Sequence, residues 1–187
     1  MKKIIALSLS LMMLFALAAC GSSNGNQDNS GNEAGFTGSL PELINSIYEK
    51  KPIELMLGDP TEIDLTDAYS TNHYLGLEDG SQLKEAYFSE SSIGSQAYSL
   101  VVARVNDPAD TAAVAQSMFD GINQAKWVCV MADSLAVGAY DDLVMLAMID
   151  SELDATAHTD LRNAFADVVG TDKLDVSLDR VNPDGGI

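Results

Sequence analysis

The chain predicts an α+β domain in which a mostly antiparallel sheet carries helices packed on one face, and three observations lead there. Leu143 to Ile149 is apolar on both faces, as a central strand covered by sheet neighbours and helices must be. Lys84 to Glu90 alternates weakly, Tyr98 to Val105 is rich in β-branched and aromatic residues, and the Ser91 to Gln96 turn joins the two into a hairpin. Apolar residues recur at helical spacing in Leu40 to Lys50, after Asp107, and in Glu152 to Val169. The predicted order is helix-strand-strand-helix-strand-strand, followed by a last helix.

The first helix begins at Ser39, where Ser39-Leu40-Pro41-Glu42 forms a capping box with proline in the first turn, a place where its missing N–H is harmless. Leu40, Leu43, Ile44, Ile47 and Tyr48 share one stripe, leaving Glu49 and Lys50 to water. From 51 to 83, Pro52, Gly58, Pro60, Gly76 and Gly80 break every periodic run, so loops and short turns are expected. The hairpin follows. Asp107 then caps a helix with Pro108 and Asp110 in its first turn and Val114, Ala115, Met118, Phe119 and Ile122 on its buried stripe, ending near Gln124. An extended segment, Val128 to Ala132, leads into Leu135 to Tyr140 and Leu143 to Ile149. The Asp141-Asp142 spacer suggests a tight turn, because Asp tolerates positive φ. The last helix is capped by Ser151 and closed by Gly170, with Leu153, Ala157, Leu161, Ala164, Phe165 and Val168 on one face.

Upstream of the domain the sequence reads as an export signal. Lys2 and Lys3 precede an apolar run from Ile4 through Leu17, too short for a stable bilayer anchor, and Leu17-Ala18-Ala19-Cys20 resembles the bacterial lipobox. The expectation is cleavage before Cys20, with diacylglycerol on its thiol and acyl chains that hold the protein to a membrane. Residues 1–19 are then the signal peptide and 20–38 a lipidated cysteine with a flexible Gly/Ser/Asn linker. Residues 39–180 form one globular domain and 181–187 a frayed tail. As a Gly-rich coil, the eighteen residues from 21 to 38 reach roughly 21 to 25 Å, which suits a spacer.

Removing the nineteen residues before Cys20 from the 187 leaves 168, enough for one domain with its own core. Without Lys2 and Lys3, eight of the ten basic residues remain against 28 acidic ones, a formal charge near −20. That balance argues against a nucleic-acid partner, since phosphate recognition needs clustered Lys and Arg. It also repels anionic head groups, so the lipid alone would hold the domain near a membrane. With Cys20 acylated, Cys129 has no disulfide partner, and inside Val128-Cys129-Val130-Met131 it reads as a small buried hydrophobe.

No constellation of residues points to catalysis or to a cofactor. His73 and His158 lack ligand-spaced Cys, His or carboxylate neighbours, so no metal site is expected. Asp179, Asn182, Asp184 and Gly185 echo a calcium loop with the wrong spacing and without the terminal Glu. Ser95 is a turn serine without the Gly-x-Ser-x-Gly elbow, and Glu152, Asp154 and Asp160 read as a wetted helix face rather than a glycosidase pair. Tyr98, Trp127 and Tyr140 are assigned to core packing; one of them exposed beside Arg104 and the Asp141-Asp142 turn would instead make a small recognition surface.

One resemblance stands beside this reading. The stretch Ile93 to Val105 with Asp107, then Lys126-Trp127-Val128-Cys129-Val130, Asp133, Ala139, Tyr140, Asp142 and Leu143 to Leu146, resembles the DUF4358 family over about residues 40–150. These are lipobox-bearing bacterial proteins, common in clostridia and their relatives, with no assigned activity. The resemblance implies an envelope lipoprotein and supplies no catalytic residue. The expectation is therefore a non-enzymatic, lipid-anchored interaction or assembly module of the cell envelope, contacting an envelope protein. The alternative is a lipoprotein that binds a small ligand, a peptide or a cation.

Overall fold

The computed structural model describes residues 36–182; Cys20, the 1–19 segment and residues 183–187 lie outside them. A six-stranded antiparallel sheet is flanked by helices, an α+β fold. The order across the sheet is β1-β2-β3-β5-β4-β6, with β1 Thr61–Glu62, β2 Leu83–Glu90, β3 Tyr98–Val105, β4 Ser134–Tyr140, β5 Leu143–Ile149 and β6 Val176–Val181. As its two-faced apolar sequence requires, β5 is buried along its whole length, between β3 and β4. Below, the upper end of the sheet is the one where β2, β5 and β6 finish and β3 and β4 begin.

Helices cover both faces, not one. On one face α1 (Leu40–Lys50) and α4 (Ala157–Val169) pack on Tyr98, Leu100, Val102, Met145 and Ala147. On the other, Val114, Ala115 and Met118 of α3 (Thr111–Gly121) pack on Val101, Val137, Val144 and Leu146. Connectivity supplies the reason. From β3 the chain passes through α3 to β4, skipping over β5, and from β5 it passes through α4 to β6, skipping over β4. Both crossovers step in the same direction across the sheet, but β3 and β5 run oppositely, so two connections of the same right hand must lie on opposite faces.

The capping box of α1, the Gly170 close of the last helix and both hairpins hold as predicted, whereas Ser151 caps no helix. Ser39 and Glu42 form the reciprocal capping box, and Asp141, at φ 55°, makes the two-residue β4–β5 turn. Other boundaries move. Asp107 caps a single 3₁₀ turn, Pro108–Asp110, ahead of α3, and α3 stops at Gly121 because Ile122 is extended. The last helix begins at Ala157, since the carboxylates of Asp150 and Asp154 accept the backbone N–H two residues on and hold 150–156 in turns. The 128–132 segment joins no ladder; it bends, with Cys129 at φ 68°.

The domain also runs past 180. Val181 pairs with Ser134, and the Asn182 N–H donates to the Asp133 carbonyl, so these two residues belong to the sheet and not to a tail.

Between 51 and 83 a bridge joins Leu57 to Ser91, and β1 adds to β2. Then α2 (Ala68–Ser70) runs straight into a π-helical turn, Thr71–Leu75, which ends at Gly76 with φ 71°. Gly76 and Gly121 meet backbone to backbone. A Cβ on Gly121 would stand 2.1 Å from the Gly76 carbonyl oxygen, and one on Gly76 would stand 2.3 Å from the Ile122 nitrogen. Only glycine fits either place.

Candidate functional site

The large hydrophobic side chains that remain exposed among the described residues are Met56, Tyr69, Ile93, Val128, Leu153 and Val181, and the hydrogen bonds and pairings place all six at the upper end of the sheet. Ile93 is in the β2–β3 turn, and the Ser92 N–H of that turn donates to the Met56 carbonyl. Leu153 follows the end of β5, and Val181 faces the first residue of β4. Val128 and Tyr69 flank a buried lysine at the same end. Isolated exposed hydrophobes are ordinary; their gathering at one end of a chain this acidic is not. Beside Leu153 a hollow of about 230 Å³ has Ile53, Leu55 and Ile149 in its wall and Lys51 and Asp154 among its polar groups.

The buried lysine is Lys126, on the loop between α3 and β4, with its side chain only 2% exposed. Its Nζ lies 2.5 Å from Glu90 Oε1, at the end of β2. It sits 4.8 Å from the centre of the Tyr74 ring and 5.2 Å from that of Trp127, within cation–π range of both. It also donates to the His73 carbonyl and to Ser99 Oγ, each at 3.4 Å. The rings are braced from behind: Tyr74 stacks on Phe88 at 4.0 Å, His73 meets Tyr74 edge-on at 4.7 Å, and Tyr69 stacks on His73 at 5.3 Å. The π-helical turn brings His73 and Tyr74 together here, and the Gly76–Gly121 contact seats that turn beside the Lys126 loop. Burial pushes the Lys126 ammonium below its ordinary pKa, and the Glu90 carboxylate opposes the shift. Burial also lowers His73, helped by the Lys126 charge and opposed by Glu90.

A second polar group occupies the same end on the opposite face. The Asp133 carboxylate accepts from Ser151 N–H at 2.8 Å, Ser151 Oγ at 2.5 Å and Ser134 Oγ at 3.0 Å. Burial alone would raise its pKa; the hydrogen bonds from Ser151 and Ser134 outweigh that and hold it low. His158, in the first turn of α4, is buried, and its Nδ1 has no partner. Burial lowers its pKa against the pull of Asp179, Asp133 and Asp160.

The residues singled out by sequence are distributed differently. Cys20 lies outside the described residues, as do Asp184 and Gly185. Cys129 is exposed, not buried: Lys126 and Trp127 take the inward places of its loop, and the chain then turns out through Val128 and the left-handed Cys129. Ser95 is exposed in its turn. Asp154 and Asp160 are not a free pair but converge on Lys51 at 3.0 and 3.2 Å. Asp179 is taken by Arg162 at 2.9 Å. Tyr98 is fully buried, its hydroxyl donating to that of Tyr48. Arg104, with Asp142, lies at the lower end, away from Trp127. Sequence reading missed the Lys126 seat, although Lys126-Trp127 ahead of an apolar run was its available signal. No group of three or more metal-ligating side chains occurs among the described residues, and no helix there is long and apolar enough to cross a membrane.

No family model, curated protein or solved structure matches the chain.

Proposed function

We propose that the chain is a lipid-anchored module of the bacterial envelope, kin to the DUF4358 proteins it resembles, that docks another envelope protein through the upper end of its sheet. The observation that carries this reading is the gathering of exposed Met56, Tyr69, Ile93, Val128, Leu153 and Val181 at that end. The chain enters the domain at the other end, where Arg104 Nη2 holds the Gly38 carbonyl at 3.1 Å. An anchor on Cys20 would therefore pull on the lower end and leave the upper end free to meet a partner. A non-catalytic role is supported by the engagement of Asp154, Asp160 and Asp179 in ion pairs and by the exposure of Ser95 in its turn.

A photo-crosslinking residue at Val128, compared in native envelopes with one at Lys84 near the lower end, tests the docking reading. A discrete adduct from 128 alone is expected; equal labelling from both positions, or none from either, would sink it. For the anchor, Cys20→Ala should move the protein out of the membrane fraction, and an unchanged distribution would rule the lipid out.

A further inference from the structure

We propose that the seat around Lys126 is a recognition site for alkylated ammonium groups, which the chain's own lysine fills until such a ligand displaces it. The proposal goes beyond the docking reading and stands on different residues, so either can fail alone.

The seat has the parts such a cation needs: one carboxylate, Glu90, and two ring faces, Tyr74 and Trp127. Its walls are fixed by separate elements. Glu90 ends β2, and Tyr74 is clamped between Phe88 and His73. The present occupant holds the seat through one short contact and several longer ones. A lysine ammonium carries three N–H donors, yet only the Glu90 contact is short; the His73 carbonyl and Ser99 Oγ, at 3.4 Å, lie beyond good N–H···O distance. A cation whose nitrogen bears methyl groups has no such donors to satisfy and meets ring faces through its methyls.

Lys126 can also leave. It rides on the 122–133 loop, which has no helix or strand of its own and closes at its base through Ala132 N–H to the Gln124 carbonyl and Gln124 Nε2 to the Ala132 carbonyl. Its four-carbon stem lets the ammonium swing into water while the backbone stays put. The exchange favours a guest that water holds weakly, because a primary ammonium is strongly hydrated and regains that hydration outside. The ligand class is thus a quaternary or methylated amine, free or as part of a larger molecule.

The sole tryptophan, Trp127, reports on the seat directly. Its fluorescence in the full chain is titrated with tetramethylammonium chloride, with sodium chloride as the ionic-strength control. A saturable change specific to tetramethylammonium is expected. It should tighten at least tenfold in Lys126→Ala, where the occupant is gone, and vanish in Glu90→Gln. A response equal to that of sodium chloride, or a Lys126→Ala titration no tighter than the parent's, overturns the proposal. Should Lys126→Ala fail to fold, the parent chain decides: saturation transfer from protein aromatic protons to the tetramethylammonium methyls supports the site, and its absence refutes it.

Discussion

At the lower end of the sheet, Arg104 donates to Glu85 at 3.0 Å, to both oxygens of Asp142 at 3.0 and 2.9 Å, and to the Gly38 carbonyl at 3.1 Å. At the upper end, Lys126 has one short contact, with Glu90, and is otherwise surrounded by rings and two stretched hydrogen bonds. Both cations are withdrawn from water, and the difference follows from their shapes. A planar guanidinium can spend its donors on several fixed acceptors at once, whereas an ammonium is a compact charge on a flexible stem. The first arrangement ties β2, β3, the β4–β5 turn and the entry to α1 together. The second rests a single charge on one carboxylate and two ring faces.

If that contrast is right, removing the two cations should have unequal consequences. Arg104→Ala strips two carboxylates and a carbonyl of their shared partner and should cost about 3 kcal/mol, read as a lower denaturation midpoint. Arg104→Lys should recover only part, because one ammonium cannot span the same acceptors; full recovery would show that the clasp needs charge alone. Lys126→Met should cost about 2 kcal/mol, since Glu90 Oε1 is left buried without its cation while the thioether packs on Tyr74 and Trp127. A loss as large as that of Arg104→Ala would mean that Lys126 is a structural tie like its counterpart. Val128→Ser, at the upper rim, should change stability by less than about 0.5 kcal/mol, while weakening cross-linking to a partner from a photo-reactive residue at Ile93.

The smallest expected effect separates the ends by acidity. Burial holds His158 and His73 below their ordinary pKa, so the unfolded chain takes up protons near pH 6.5 while the folded chain resists. Their contribution is complete above that value and is lost as pH falls through the lowered pKa. His158→Gln, which removes the group facing Asp133, Asp160, Arg162 and Asp179, should flatten the stability profile in that interval, with thermal melts between pH 7 and pH 5 as the measure. An unchanged slope would locate the acid sensitivity elsewhere.

What could be read in advance depended on how strongly each segment's surroundings dictate its residues. Leu143 to Ile149 announced β5 because a strand buried on both faces has no room for polar side chains, and the same fact already implied helices on both faces. The helical stripes could not say which face each helix takes; strand direction decides that, and it lies in no local pattern. The β6 strand escaped notice because an edge strand needs only half a covering. In Val-Ser-Leu-Asp-Arg-Val the third inward place is held by Arg180 and Val181 faces out, so the alternation that marks a strand breaks off after Leu178. The Lys126 seat was hidden for another reason: Glu90, His73, Tyr74, Ser99 and Lys126 come from four separate stretches, each with an ordinary local role. Trp127 was assigned to core packing, and it does pack, partly buried, against the core; the ammonium it borders was not visible from spacing.

The meeting of Gly76 with Gly121 has a mechanical consequence. Two backbones in contact, with no side chain between them, act as a fulcrum: the π-helical turn that carries His73 and Tyr74 lies on one side, and the loop that carries Lys126 and Trp127 begins on the other. A displacement at the far end of α3 would be delivered through that point without being absorbed by rotating side chains.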